Sequence, residues 1–164
     1  MFGKSQFSKR LEENWPRLYR MAYAWSHDIR TAHDLVQETM SKALAKRHQL
    51  KQQQAFDAWL FRILTNCWYD VCRRNKNLTD MSEVGEQKYH ITPEIDHDTY
   101  QTIKMVRSAL AQLSMNQRQV VTLVDLEDMT YNEVSEILDV PIGTVMSRLC
   151  RARNNLKKIL EADN

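Results

Sequence analysis

The sequence predicts an all-α protein: two small helical domains joined by a flexible acidic linker, the second carrying a helix-turn-helix. Three observations predict it. Apolar residues recur at spacings of three and four on both sides of the chain's middle, the repeat of helices with one buried face. That periodicity lapses between Asn75 and His97, where Gly85, Pro93 and a cluster of acids gather as in a linker. The net charge of +2 conceals segregation, with 13 cations against 7 acids over 1–74, 2 against 6 over 75–100, and 8 against 8 over 101–164. A basic front half and a neutral back half around an acidic connector suit a protein that binds a polyanion. A chain of 164 residues supports two modest cores rather than one large one, so the expected domains are 1–74 and 101–164, with the linker at 75–100.

Composition also excludes functions. The three glycines, Gly3, Gly85 and Gly143, are too few and too scattered for a glycine-rich phosphate loop. Cys67, Cys72 and Cys150 match neither a zinc ribbon nor a redox pair and read as reduced thiols. The clusters around His27, His33, His90 and His97 lack metal-ligand spacing, so no metal or other cofactor is expected. No nucleophile stands beside a base and no carboxylate pair sits in an apolar pocket, which leaves no ground for an enzyme. With no signal peptide and no apolar run of membrane-spanning length, the chain is expected in the cytoplasm, reaching a membrane only through a partner.

In order along the chain, Ser5 to Trp25 reads as helical with a break near Asn14, where Pro16 can occupy a new first turn. Thr31 with Asp34 resembles a cap for a helix whose Ala32, Leu35, Val36, Thr39, Met40, Ala43 and Leu44 keep strict periodicity. Its other face shows Asp34, Gln37, Glu38, Ser41 and Lys42, on composition alone an ordinary solvated surface. The aperiodic stretch from His48 to Ala55 is a loop. A third helix then buries Phe56, Trp59, Leu60, Ile63, Leu64, Cys67 and Val71 and leaves Arg62, Asn66, Tyr69, Asp70, Arg73 and Arg74 partly outside. Cations mixed with amides and aromatics suit single-stranded nucleic acid, although Trp59, Trp68 and Tyr69 at this spacing are more often core residues than stacking platforms. After the linker, Ile103, Val106, Ala109, Leu110 and Leu113 form another stripe, and Ser114 can cap the next helix.

Met129 to Leu160 carries the clearest signal. Thr130 and Glu133 form a capping box that starts a short helix burying Val134, Ile137 and Leu138. Asp139 to Gly143 breaks it, and Pro141 belongs in the first turn of a second helix. Val145, Leu149, Ala152, Leu156 and Ile159 form that helix's apolar stripe, while Thr144, Ser147, Arg148, Arg151, Asn155 and Lys158 fall on the other side. Ile142 to Leu160 holds five cations and no acid. A short helix, a tight turn and a basic, hydrogen-bonding second helix make the pattern of a DNA-reading helix-turn-helix rather than of a merely solvated one.

Two stretches together resemble a known family. AHDLVQETMSKAL (Ala32 to Leu44) with FDAWLFRILTNCWYDVCRR (Phe56 to Arg74), followed by ALAQLSMNQRQVVTL (Ala109 to Leu123) with YNEVSEILDVPIGTVMSRLCRAR (Tyr131 to Arg153), is similar to bacterial RNA polymerase sigma factors of the extracytoplasmic-function (ECF) group. The resemblance implies two helical domains corresponding to that family's regions two and four, without the intermediate domain of larger sigma factors. It implies core RNA polymerase and promoter DNA, duplex and melted strand, as partners, and an anti-sigma factor besides. Asp34, Leu35, Gln37 and Glu38 become core-polymerase contacts, which overturns the solvated reading of that face. Leu50, Lys51, Phe56 and Asn66 become minus-ten contacts around a flipped base, with Arg73 and Arg74 on phosphates. Thr144, Ser147, Arg148 and Arg151 read the duplex minus-thirty-five element, and Arg118 contacts its backbone. The chain departs from the family where His33 replaces a frequent acid, Ser114 a proline and Met146 a lysine, and its Gln52 to Gln54 loop lacks the usual glycine and acid. The expected function is a promoter-specificity subunit that assists melting. The alternative is a stand-alone helix-turn-helix regulator with a sensing or dimerising front half; a polymerase-binding adaptor that reads no DNA is a second rival.

Overall fold

A computed structural model describes residues 3–76 and 96–163, all the elements of which are helical. The centre of the expected linker, with His90, lies outside the described residues. In chain order the helices are α1 (Lys4–Glu13), α2 (Trp15–Ser26), α3 (Ile29–Ala45), α4 (Phe56–Lys76), α5 (His97–Ala111), α6 (Met115–Val121), α7 (Tyr131–Leu138) and α8 (Ile142–Ala162). Helix α4 runs two residues past Arg74, and α5 starts at His97, so the helices extend into the segment expected as linker.

Local chemistry explains most boundaries. Asn14 divides α1 from α2 without leaving right-handed space (φ −88°, ψ −4°), and its amide donates back to the Arg10 carbonyl at 2.8 Å. Pro16 sits in the first turn of α2, where its missing N–H costs nothing. His27 ends α2 in the left-handed region (φ 52°), and Asp28 then caps α3. The Asp28 carboxylate accepts from the Thr31 N–H at 2.9 Å and the Thr31 hydroxyl at 2.6 Å. These bonds, the hydroxyl's first, hold the Asp28 pKa below its ordinary value. The cap expected from Thr31 with Asp34 is therefore corrected: α3 starts earlier because extended backbone at Asp28 puts its carboxylate over the first turn.

In the back half Ser114 caps α6, accepting from the Gln117 N–H at 3.4 Å. Helix α6 then widens into a π-helical turn over Thr122–Leu126, which no sequence pattern announced. Thr130 and Glu133 form the reciprocal capping box of α7 (3.2 and 2.7 Å), and Asp139 closes α7 in the left-handed region (φ 54°). Pro141 is the N-cap of α8 rather than a residue of its first turn.

Helix α3 packs between α2 and α4, and α8 packs against α5, α6 and α7. The two groups also meet, α4 against α7 and α2 against α5 and α6. Buried side chains form one cluster through both, with Trp25, Phe56, Phe61, Leu64 and Leu123 fully enclosed. Polar contacts cross the seam as well: the Trp25 indole N–H donates to the Thr122 hydroxyl at 2.9 Å, the Tyr69 hydroxyl to the Gln119 side-chain carbonyl at 3.2 Å, the Arg17 guanidinium to Glu127 at 2.8 Å and the Arg118 guanidinium to the Trp25 carbonyl at 2.8 Å.

Candidate nucleic-acid interface

The second helix of the helix-turn-helix is anchored by Val145, Leu149 and Ala152, all buried against α6 and α7. That packing turns Ser147 and Arg151 to solvent and leaves Thr144 and Arg148 half-exposed. The Ser147 hydroxyl donates to the Thr144 carbonyl at 3.1 Å and can still accept. Among the described residues no carboxylate lies within ion-pair distance of Arg148 or Arg151, whereas Arg153 is forked onto Asp125 and Lys157 faces Glu161. Residues near the start of such a helix are the ones that reach base edges in a major groove. Arg148 and Arg151 thus arrive with their donors open.

The front surface is built differently. Asn66, Arg73 and Arg74 are exposed along α4, Lys51 is exposed on the loop before it, and Leu50 is half-buried. Three cations here are partnered. Arg73 pairs with Asp70, Arg74 with Glu38 at 3.9 Å, and Lys42 with Glu38 at 2.9 Å and Asp70 at 3.8 Å. Asp34 and Gln37 are exposed one turn away on α3.

Three expected site residues lie elsewhere. Leu35 is 1% exposed, on the core side of α3, so it orients that helix and cannot touch a partner. Phe56 is fully buried, edge-on to Phe7 (centroids 5.7 Å apart) and covered by the Arg10 guanidinium, so it cannot stack on a base. Arg118 is tied to backbone carbonyls of Leu110 (2.8 Å), Trp25 (2.8 Å), Ala111 (2.9 Å) and Leu113 (3.0 Å). Burial lowers its pKa, and four of its five N–H donors are taken inside the protein, so in this conformation it serves the fold before it serves DNA.

Sequence reasoning missed the seam itself. The Glu127 side chain is 2% exposed and faces Arg17, with Arg20 at 3.5 Å from its second oxygen as an ion pair without hydrogen-bond geometry. Arg17 also donates to Asn14 and Asp57, at 2.8 and 3.0 Å. Burial opposes its charge, but the bonds to Glu127 and Asp57 outweigh it and raise its pKa. Such a pair registers two surfaces without gluing them strongly, because desolvation cancels much of the attraction.

Two helical modules, one with an open-handed basic reading helix and one with an amide-and-cation face, define a bipartite DNA-reading protein of the transcription machinery. The profile of Sigma-70 region 2 matches residues 11–78, and that of Sigma-70 region 4 matches residues 103–156. The chain is 34% identical to the ECF RNA polymerase sigma factor SigE of Mycolicibacterium smegmatis over 88% of its length, and spans 57% of that relative. It is 29% identical to the ECF sigma factor EcfG of Rhodopseudomonas palustris, over 90% of this chain and 81% of the relative. The solved structure of the sigma factor RpoE from Bartonella quintana, in complex with the anti-sigma factor NepR, superposes with a TM-score of 0.81 at 31% identity, covering 96% of this chain and 98% of that one. The protein belongs to the ECF RNA polymerase sigma factors, the subunits that direct transcription initiation.

Proposed function

We propose that this sigma factor docks on core RNA polymerase through the exposed α3 residues Asp34 and Gln37 with Glu38, and reads a promoter in two places. Thr144, Ser147, Arg148 and Arg151 take the duplex minus-thirty-five element. Asn66, Lys51, Arg73 and Arg74, with Leu50, take the melted minus-ten strand. It acts by binding rather than catalysis: captured unstacked bases offset an unpairing cost of a few kcal/mol. The observation that carries this reading is one chain holding an unneutralised helix-turn-helix face and a separate amide-and-cation face.

The two faces sit on modules now in contact, with Tyr69 bonded to Gln119. Elements centred about 25 base pairs apart lie about 85 Å apart along straight duplex at 3.4 Å per pair. Reading both requires the modules to part, and the polar seam suits parting. In the cytoplasm an anti-sigma factor would hold the pair together. A groove of about 660 Å³ between α2 and α5, lined by Tyr19, Tyr23, Val106 and Leu126 and edged by Arg20 and Arg107, fits a partner helix with an apolar face and an acidic flank.

Run-off transcription with purified core polymerase tests the function. Promoter-dependent transcripts only when the chain is added are the expected result. Tight promoter binding without core, and no initiation with it, would instead establish a stand-alone regulator.

A further inference from the structure

The solvent side of α8 is not uniformly polar. At about 100° per residue, the buried Val145, Leu149 and Ala152 point one way, and the exposed Gly143, Ser147 and Arg151 point the other. Thr144 and Arg148 border that outer face on one side. The opposite border is apolar: Ile142 is 43% exposed and Met146 52%, and the two stand one helical turn apart. Among the described residues no other large hydrophobic side chain of α8 is as exposed. One exposed hydrophobic side chain needs no explanation, but an adjacent pair along the edge of a binding face does.

Gly143, beside this pair, has no internal reason to be a glycine. A Cβ built there would meet nothing within 4 Å, and its φ is not positive. Glycine within a helix is less favourable than alanine, so the missing side chain is useful here only to a surface approaching from outside. Ile142, Gly143 and Met146 together form a low, uncharged edge on a helix start that is otherwise made of donors and acceptors.

The surface placed against this part of α8 is the major groove of duplex DNA. Base edges there present hydrogen-bonding groups and one apolar group, the C5 methyl of thymine. Covering a donor or an acceptor with Ile142 and Met146 would desolvate it without a partner, whereas covering a methyl group would not. Met146 also stands where the family resemblance leads one to expect lysine. Its thioether has no charge to offer a phosphate, but a flexible, polarizable chain adapts well to an apolar neighbour.

We propose that Met146, with Ile142 beside it, reads a thymine methyl group in the minus-thirty-five duplex and so selects an A·T pair in the promoters this protein uses. The assignment rests on the minus-thirty-five reading above. Thr144, Ser147, Arg148 and Arg151 supply hydrogen bonds and charge, and the apolar edge distinguishes thymine from cytosine by shape and hydration.

The test uses holoenzyme reconstituted with full-length chain. Promoter fragments are first enriched by that holoenzyme from a pool randomised over the promoter. Each thymine of the upstream element, on either strand, is then replaced singly by deoxyuridine, which lacks only the C5 methyl and keeps every hydrogen-bonding group. Wild type should bind roughly fourfold more weakly at one A·T pair, the equivalent of about 0.8 kcal/mol for one buried methyl group. The Ile142→Ala/Met146→Ala double variant should bind the thymine and uracil versions equally, with unchanged salt dependence because no charge is altered. Met146→Leu, still apolar, should keep the uracil penalty. An enriched upstream element without an A·T pair, uracil tolerated at every position by wild type, or a penalty that persists in full in the double variant would overturn the proposal. If the holoenzyme enriches no upstream element, or Arg148→Ala and Arg151→Ala leave its recognition intact, the minus-thirty-five reading itself has failed.

Discussion

Arginines on the reading helix and arginines at the seam look alike in sequence and do opposite work. Arg148 and Arg151 face outward from α8 with no carboxylate within ion-pair distance among the described residues, so on the proposed reading displaced counterions would reward DNA binding there directly. Arg17 and Arg118 spend their donors inside the protein, on Glu127, Asp57 and backbone carbonyls, and join the two modules. Arg73 and Arg74 are intermediate: they are exposed, but shared with Asp70 and Glu38. A cation's role is set by what the fold leaves beside it. A phosphate approaching Arg73 or Arg74 must compete with an acid, whereas one approaching Arg148 or Arg151 need not.

The largest expected effect breaks the seam. Arg17→Ala leaves the buried Glu127 carboxylate with only its loose contact to Arg20 and should cost about 3 kcal/mol, discounted for the partial exposure of Arg17. Differential scanning calorimetry should show the loss as a fall of roughly 6–12 °C, or as splitting of one transition into two as the modules uncouple. On the reading helix the cost should appear in binding instead. Arg148→Ala should weaken promoter engagement by about 1–3 kcal/mol and relax sequence preference at one position, read by competition among single-base promoter variants. Uniform weakening on every sequence would make it a phosphate contact.

Smaller effects sharpen the contrast between local and tertiary causes. Thr130→Ala removes one half of an exposed capping box and should lower stability by about 1 kcal/mol in denaturant titration, leaving the seam alone. His27, at the seam end of α2, has its pKa lowered to about 4 by burial and then by Arg118 and Arg107. The unfolded chain therefore binds this proton more readily than the folded one. Stability contributed by the neutral ring is complete above about pH 6.5 and is lost as pH falls toward 4. A loss of about 1 kcal/mol between pH 7 and 5, absent in His27→Gln, is expected by chemical denaturation at each pH.

The helix-turn-helix was legible because its determinants are local: a cap and its reciprocal glutamate, a left-handed turn residue, a proline and an apolar stripe all fall within Met129 to Leu160. The break at Asn14 was legible for the same reason. Leu35 and Phe56 were placed in binding roles by family position, although Leu35 already belonged to the apolar stripe of α3 and Phe56 to that of α4, and the stripes described their burial correctly. Asp28 was overlooked as a cap because Thr31 and Asp34 offered a competing pattern three residues on. Nothing local marks Glu127 as buried, since it stands between Asp125 and Asp128 in an acidic turn. Its partner Arg17 is 110 residues away, and only the docked modules reveal the pair.

The central claim is that one chain carries two promoter readers, packed together when free and separated on the promoter. The most direct measurement is the distance between spin labels at Asn75 and Lys158, both exposed, in a cysteine-free background, taken on the free protein and on holoenzyme bound to promoter DNA. A single short distance in the free protein, replaced on the promoter by one tens of ångströms longer, is the predicted result. An unchanged distance in transcriptionally active complexes would contradict it.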